Sequence, residues 1–580
     1  MESFTLVQMC IRTVAQNMDV LESQAGDLPS SLLQELMPHL NIYYLDKIEK
    51  VADLKGVSCS SAWAAKWREL NRTWRWKLKF LQPEKEDWKQ MCLESYFHKV
   101  LFRKSQAHSP ALDMTELSVA AKYVQVLSLF TLHDALRLAS EELRLILSSL
   151  ETVVRTLRLL DANVLLKHRK SEVLFVLHRL LDHGSVKKLV LKRTPDSRVF
   201  RWIMSRCKGS SRIDEGPAEP KCPRLHLPMD EIEYSQFCPS CSTNATCPEG
   251  QIHSADLEFC LTATARLLPS WIGLRSLHLS PTQFVCRKEV VDLVESLRKL
   301  FLNPHCALKD LSVGNMYIQQ YIVSLLISCP TLHSLSLEIG PRWDYSTTSS
   351  VHFTPNLQLS LEKLTLKAGE IQTTLECLPT MLQHAPNLRT LYITGIRQAQ
   401  SFLHMLPESN PSLKVLLLED MNLADCHREI IYLLENSMLE ELSLKDCRLL
   451  EKCPEKKDFL IPFVAAARNL CSLHSLSLSQ NRLASSVIQV ADLFSGEYHG
   501  NIIKLDLSSN FILPTDLLEF SQKIEAYHPR HRFTLDLRFN PLIRDPVVKG
   551  QALRMLRPFC EVLTDEWDFK SAMADHVSVM

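Results

Sequence analysis

Four stretches in the C-terminal part of the chain repeat one pattern closely enough to restrict the folds open to it. They are Leu439-Glu-Glu-Leu442-Ser-Leu444-Lys-Asp-Cys447-Arg-Leu449, Leu473-His-Ser-Leu476-Ser-Leu478-Ser-Gln-Asn481-Arg-Leu483, Ile502-Ile-Lys-Leu505-Asp-Leu507-Ser-Ser-Asn510-Phe-Ile512 and Arg532-Phe-Thr-Leu535-Asp-Leu537-Arg-Phe-Asn540-Pro-Leu542. Residues two apart on an extended strand project from the same face, so the second and third leucines of each stretch share one. The Asn or Cys stands where the chain leaves that strand and can hydrogen-bond backbone groups there. A segment of helical periodicity then returns the chain. One such unit cannot bury its own apolar face, whereas a stack can, which predicts a solenoid.

The pattern L-x-x-L-x-L-x-x-N/C-x-L is that of the leucine-rich repeat. Counted by the second leucine, strands are expected at Leu277, Leu311, Leu335, Leu364, Leu391, Leu416, Leu442, Leu476, Leu505 and Leu535, at spacings of 34, 24, 29, 27, 25, 26, 34, 29 and 30. Lengths in the high twenties leave room for a helix in each repeat. The expected fold class is therefore α/β, a horseshoe-shaped solenoid with strands on the concave face and helices on the convex one. The second 34-residue spacing holds an extra segment around Glu451–Asp458. Weaker copies at Val124–Leu129, Val154–Leu159 and Val186–Leu191 predict earlier repeats, with helical segments over Asp134–Leu150 and Leu165–His183. Asp113–Ala121 reads as a short linker, Val547–Leu556 as a last helix and Trp567–Met580 as part of a C-terminal cap.

Composition narrows the function. The 66 basic and 66 acidic residues balance, and no long basic run points to nucleic acid or an anionic membrane. No apolar stretch is long enough to cross a bilayer, and the first residues lack the basic region of a secretory signal. Eighteen cysteines are scattered singly through apolar segments, which fits reduced thiols in the cytosol or nucleus better than disulfides. Fourteen glycines and no Walker or dinucleotide fingerprint argue against a nucleotide cofactor, and no cofactor is expected. There is no Gly-x-Ser-x-Gly elbow, no His-Glu-x-x-His and no protease-like cysteine context, so catalysis is not expected. Residues 194–254 lose the period and read as a flexible insertion. Within it Cys238-Pro-Ser-Cys241 has chelating spacing. Cys222 and Cys247 form no second close pair, so loop thiols are favoured over a zinc site.

The N-terminal region reads differently. Residues 2–24 form an amphipathic helix by periodicity, with Leu6, Cys10 and Val14 four apart and so on one stripe. Asp27-Leu28-Pro29-Ser30-Ser31-Leu32-Leu33-Gln-Glu-Leu36 is a turn followed by a helix, with Pro29 just inside its start. Beyond it lies a tryptophan-rich stretch (Trp63, Trp67, Trp74, Trp76, Trp88), in which Trp63 and Trp67 share a face and suit a packed cap.

Thr5-Leu6-x-x-x-Cys10-x-x-x-Val14 resembles the BC-box, the helix by which substrate receptors of cullin–RING ubiquitin ligases dock on Elongin B–Elongin C. The stretch at Leu28, Pro29, Leu32 and Leu36 is similar to the cullin box that follows it. Ser31 departs from the cullin-5 form, Leu-Pro-x-Pro, and the looser cullin-2 form fits most positions, so the choice of cullin stays open. Leu40–Leu45, Met421–Cys426 and the ending Trp567–Met580 also resemble leucine-rich repeat members of this receptor family, whose mammalian insertion is longer than residues 194–254. The resemblance implies a non-catalytic subunit that binds Elongin C, cullin-5 or cullin-2 with a RING subunit, and a protein substrate. Two alternatives stand beside it. One is an F-box receptor recruiting Skp1, since the Leu-Pro…Leu-Leu start also resembles that motif. The other is a leucine-rich repeat scaffold or inhibitor with no ligase link.

The chain is thus divided into BC-box and cullin-box-like helices (1–40), a helical cap (41–112), early irregular repeats (113–193), the insertion (194–254), the main array (255–545) and a C-terminal cap (546–580). Residues flanking the second and third leucines of each main strand are expected on the concave face. Most are small and polar. Tyr392, Val415 and Leu417 form the apolar exception, and a central apolar patch with a polar rim is the form of an interaction hot spot.

Overall fold

The computed structural model describes residues 6–564 apart from 26, 72–86, 102–112, 167–170, 194–196, 209–249, 260, 282–285, 317–320, 341–356, 369–374, 397–398 and 497–500. Its contacts divide into two compact units, Met1–Ala263 with Ser270–Arg275, and Thr264–Pro269 with Ser276–Met580.

The first unit opens with helices α1 (Leu6–Gln16), α2 (Met18–Ala25), α3 (Ser30–Leu36), α4 (Ile42–Leu54), α5 (Ser60–Asn71), α6 (Trp88–Leu101) and α7 (Met114–Ala121). The one helix expected over residues 2–24 is therefore two. Asn17 divides them: its side-chain amide donates to the Thr13 carbonyl at 2.7 Å, and its backbone N–H is shared between the carbonyls of Thr13 and Val14. Asn competes with helix continuation through such local bonds. The linker expected over Asp113–Ala121 is instead α7. The Asp113 carboxylate caps it, accepting from the N–H groups of Thr115 and Glu116 at 2.9 and 3.2 Å. Trp63 is buried and its indole donates to Glu49 at 3.1 Å, while Trp67 meets Trp88 edge to face at 5.6 Å. Lys89 bridges Asp46 and Glu49 beneath them, so α4, α5 and α6 are held by one charged network as well as by apolar packing.

Four strands of this unit follow in order, all parallel: β1 (Val126–Leu129), β2 (Thr156–Leu159), β3 (Lys188–Leu191) and β4 (Ser254–Phe259). Their register aligns Leu127, Leu157, Leu189 and Ala255. β4 has no counterpart among the expected strands, because alanine stands where the others carry the diagnostic leucine. The helical segment expected over Asp134–Leu150 is divided into Leu132–Ala139 and Arg144–Val153 by a 3-10 turn. The N–H groups of β1 that β2 does not use are met by α6. Glu94 accepts from Gln125 and Val126 at 2.7 and 3.0 Å, and His98, one turn on, accepts from Ser128 at 3.1 Å. An open strand edge is a template for unwanted pairing, and here side chains of a helix occupy it.

The second unit contains β5 (Ser276–Pro281), β6 (Asp310–Met316), β7 (Ser334–Ile339), β8 (Lys363–Ala368), β9 (Thr390–Thr394), β10 (Val415–Glu419), β11 (Glu441–Lys445), β12 (Ser475–Ser477), β13 (Lys504–Asp506), β14 (Phe533–Asp536) and β15 (Cys560–Leu563). Each pairs in parallel with the next, and the ten leucines counted from the sequence stand in one row from Leu277 to Leu535. β15 extends that row with Val562, where a helical cap alone was expected. Residues 565–580, including the expected cap at Trp567–Met580, lie outside the described residues. Helices including Arg287–Phe301, His427–Asn436, Lys457–Asn469 and Pro514–Tyr527 return the chain between strands. The fold is a leucine-rich repeat solenoid.

The Asn position is the polar spine of the late repeats. Asn481, Asn510 and Asn540 are almost fully buried. The Asn510 amide donates to the carbonyls of Leu478 and Ser508, at 2.9 and 3.2 Å, and its oxygen accepts from the Asn481 N–H at 2.9 Å. The Asn540 oxygen receives the Asn510 N–H at 2.9 Å, and the Asn481 oxygen receives the Cys447 N–H at 3.1 Å. The neighbours of each Asn take up the turn: Gln480 and Arg482, and Ser509 and Phe511, have φ between 53° and 61°. That region is costly for residues with a Cβ, and the ladder of buried bonds offsets it.

Candidate partner-docking helix and strand face

On α1, Leu6 is 72% exposed, Cys10 is exposed and Val14 is half-buried; Thr5 lies outside the described residues. Val7 and Met9 are also about half exposed, whereas Ile11 is buried. At about 100° per residue, Ile11 stands some 140° round from Leu6, so the helix rests on one side and presents an apolar stripe on another. α1 packs on α2 and α3. The apolar side chains of a helix are ordinarily buried, so Leu6, Val7, Met9 and Cys10 left open together require a reason.

The cullin-box-like positions divide between surface and core. Pro29, expected just inside the helix start, instead stands in extended backbone immediately before Ser30 and is exposed; Leu28 is half-buried and Leu32 is 40% exposed, while Leu36 is 1% exposed with Leu33 beside it in the core. Leu36 therefore anchors α3 within the chain, and Leu28, Pro29 and Leu32 are its accessible positions. The Lys55 ammonium donates to the Leu28 carbonyl at 2.7 Å, which ties the turn to the end of α4. Ser31 is exposed as well.

On the strand face the pairing brings the three apolar residues together. Leu417 stands in register between Tyr392 and Ser443, and Val415 between Thr390 and Glu441. All three are half-buried, within strands that alternate strictly between buried and partly open positions. The Tyr392 hydroxyl donates to Glu419 at 2.5 Å, Glu419 pairs with Lys445 at 2.5 Å, and the Lys367 ammonium lies 5.5 Å from the Tyr392 ring centre. Burial would raise the Glu419 carboxyl, but bonds from Lys445 and Tyr392 and the nearby lysine charges hold it below its ordinary value. Tyr392 is thereby fixed at its hydroxyl by Glu419, with the Lys367 ammonium over its ring. Thr365 is more buried than expected of a face residue.

The four insertion cysteines, Cys222, Cys238, Cys241 and Cys247, lie outside the described residues. Among the described residues no group of three or more His, Cys, Asp or Glu is placed to hold a metal ion, and no helix is long and apolar enough to cross a membrane. Burial pushes the thiols of Cys59, Cys377 and Cys426 up to about 11 and those of Cys92 and Cys560 up to about 12, far from the range of an activated nucleophile. One buried charged cluster had no sequence signal. Asp182 accepts from His178 at 2.7 Å and from the Nε and Nη2 of Arg206, and the Gly250 N–H reaches it at 3.2 Å. Burial alone would raise the Asp182 carboxyl; the bonds from His178 and Arg206 pull it well below the carboxylate range instead. Arg206 and Gly250 are 24 and 68 residues away in sequence, so only the fold brings them to it.

No protein-family model matches the chain. Leucine-rich repeat-containing protein 41 of mouse is 26% identical over an alignment of 774 residues, which takes in 99% of this chain and 94% of the mouse protein. The human and bovine proteins of that name are each 25% identical with the same coverage. In the crystal structure of the Rad7 and Elc1 complex in yeast, a chain matches with a TM-score of 0.38 and 13% identity, covering 99% of this chain and all of that one. That likeness is too loose to bear on function. Along nearly its whole length, from the N-terminal helices through the last repeats, the chain is similar to leucine-rich repeat-containing protein 41.

Proposed function

We propose that this chain is the substrate-recognition subunit of an Elongin BC–cullin–RING ubiquitin ligase. In this reading the N-terminal stretch docks Elongin C through Thr5, Leu6, Cys10 and Val14. Leu28, Pro29 and Leu32 face the cullin, cullin-5 or cullin-2, and Leu36 fixes the helix that presents them. The strand face around Tyr392, Val415 and Leu417 receives the substrate. The chain is non-catalytic and contributes proximity and orientation to a reaction carried out by the RING subunit and its E2. A cytosolic or nuclear setting accords with its scattered free thiols.

The observation that carries the reading is the exposure of Leu6 and Cys10 on a helix already seated by Ile11. Burying one leucine in a partner's pocket is worth about 1.5–3 kcal/mol, enough to anchor an interface. The similarity to leucine-rich repeat-containing protein 41 extends through this region, which supports the same assignment. A pull-down of wild type beside a Leu6→Ala/Cys10→Phe double variant, blotted for Elongin C, Skp1, cullin-2 and cullin-5, tests it. Elongin C is expected with wild type and not with the variant. Skp1 in its place would identify an F-box receptor, and neither protein would leave a scaffold without a ligase link.

A further inference from the structure

The outward row of the strand face has a polarity as well as an apolar centre. Across β8 to β11 it reads Lys363, Thr390, Val415 and Glu441 in register, with Tyr392 and Leu417 two residues along the same strands. Lys363 and Lys367 are exposed and Glu441 is half-buried. Nearby charges are already engaged: Glu419 with Lys445, and Glu440 with Lys414, both at 2.5 Å. Among the described residues, Lys363, Lys367 and Glu441 have no such ion-pair partner. Strands lie about 4.8 Å apart, so Lys363 stands roughly 10 Å from Val415 on one side and Glu441 roughly 5 Å on the other, while Lys367 lies four residues further along β8, in register with Glu419.

Resting on the reading of this face as the substrate surface, we infer that it takes a short extended peptide lying across the strands. An apolar side chain of the peptide seats against the Tyr392 ring, Val415 and Leu417. An acidic residue reaches Lys363 and Lys367, and a basic residue reaches Glu441. An extended chain advances about 3.3 Å per residue, which puts the acidic residue some three positions from the anchor and the basic one a position or two beyond it on the other side. The apolar seat supplies most of the affinity, and the two charges set direction and exclude sequences of the opposite order.

A random nonapeptide phage library panned on the full chain tests this. Enriched peptides are expected to share an acidic residue, an apolar anchor and a basic residue at those spacings. A synthetic peptide of the enriched sequence should bind Leu417→Asp at least about tenfold more weakly than wild type. The charge-exchanged variant Lys363→Glu/Lys367→Glu/Glu441→Lys should enrich the same pattern with the charges exchanged, a gain that misfolding cannot produce. No enriched sequence, enrichment without the charge pattern, or binding indifferent to Leu417→Asp would each overturn the inference. So would sedimentation showing a dimer that Leu417→Asp dissolves, which would assign the face to a second copy. Elongin C co-precipitation on the same preparations reads the ligase assignment separately.

Discussion

Asn510 shows what a single residue does in a solenoid. Its side chain closes its own turn and receives an N–H from the repeat before, so it links repeats that the leucines only stack. Asn510→Ala would leave the buried N–H groups of Asn481 and Leu483 without their partner, and should lower stability by roughly 3 kcal/mol, read as a shifted urea midpoint. This position was legible because a polar residue at a fixed offset from two leucines, repeated from unit to unit, matches the turn of a leucine-rich repeat and little else. His98 was not legible, since its partner belongs to a strand 30 residues away. Burial lowers its imidazole to about 4 from the ordinary 6.5; a backbone bond at Glu94 opposes this and the charge of Arg158 adds to it. Its neutral Nε2 accepts the Ser128 N–H. Between those two values the unfolded chain binds a proton that the folded chain refuses, so stability falls as pH drops from 6.5 toward 4 and this contribution levels off below. The loss from this group is on the order of 3 kcal/mol. Denaturation midpoints across that range should decline more steeply for wild type than for His98→Gln, which has no proton to gain.

At the scale of the element, strands were easier to find than helix ends. Ten leucines counted by spacing fall in one row, because a one-residue slip would turn every leucine outward. β4 and β15 escaped notice because Ala255 and Val562 replace the leucine in that row. Helix boundaries depend on single polar residues. Asn17 and Asp113 each decide one, and neither alters the apolar pattern around it. Asp113→Ala should cost about 1 kcal/mol through loss of the cap on α7, whereas Asp113→Asn should largely retain it; thermal melts of the three proteins compare them. The candidate site divides similarly. The α1 stripe follows from spacing alone. The burial of Leu36, by contrast, depends on how α3 settles into the first unit, and no local pattern states it.

For the molecule as a whole, one arrangement recurs in both candidate sites: apolar side chains held open by elements whose other side is firmly buried. In the first unit this is α1, seated by Ile11 with Leu6 and Cys10 outward; in the second it is β9 and β10, seated by their leucine row with Tyr392, Val415 and Leu417 outward. In the proposed role such a chain joins a substrate to Elongin C and a cullin and performs no chemistry itself. The sequence states the first of these surfaces through a resemblance and the second only as a departure from a polar norm, since irregular repeats have no readable code for what they bind. The most direct measurement is the affinity of purified Elongin B–Elongin C for the full chain, by titration calorimetry, with wild type and Leu6→Ala at matched melting temperature. Wild type is expected to bind and Leu6→Ala to bind at least about tenfold more weakly, because the leucine is exposed and its loss leaves the fold intact. Absent binding to wild type, or equal binding by both proteins, would contradict the proposed role.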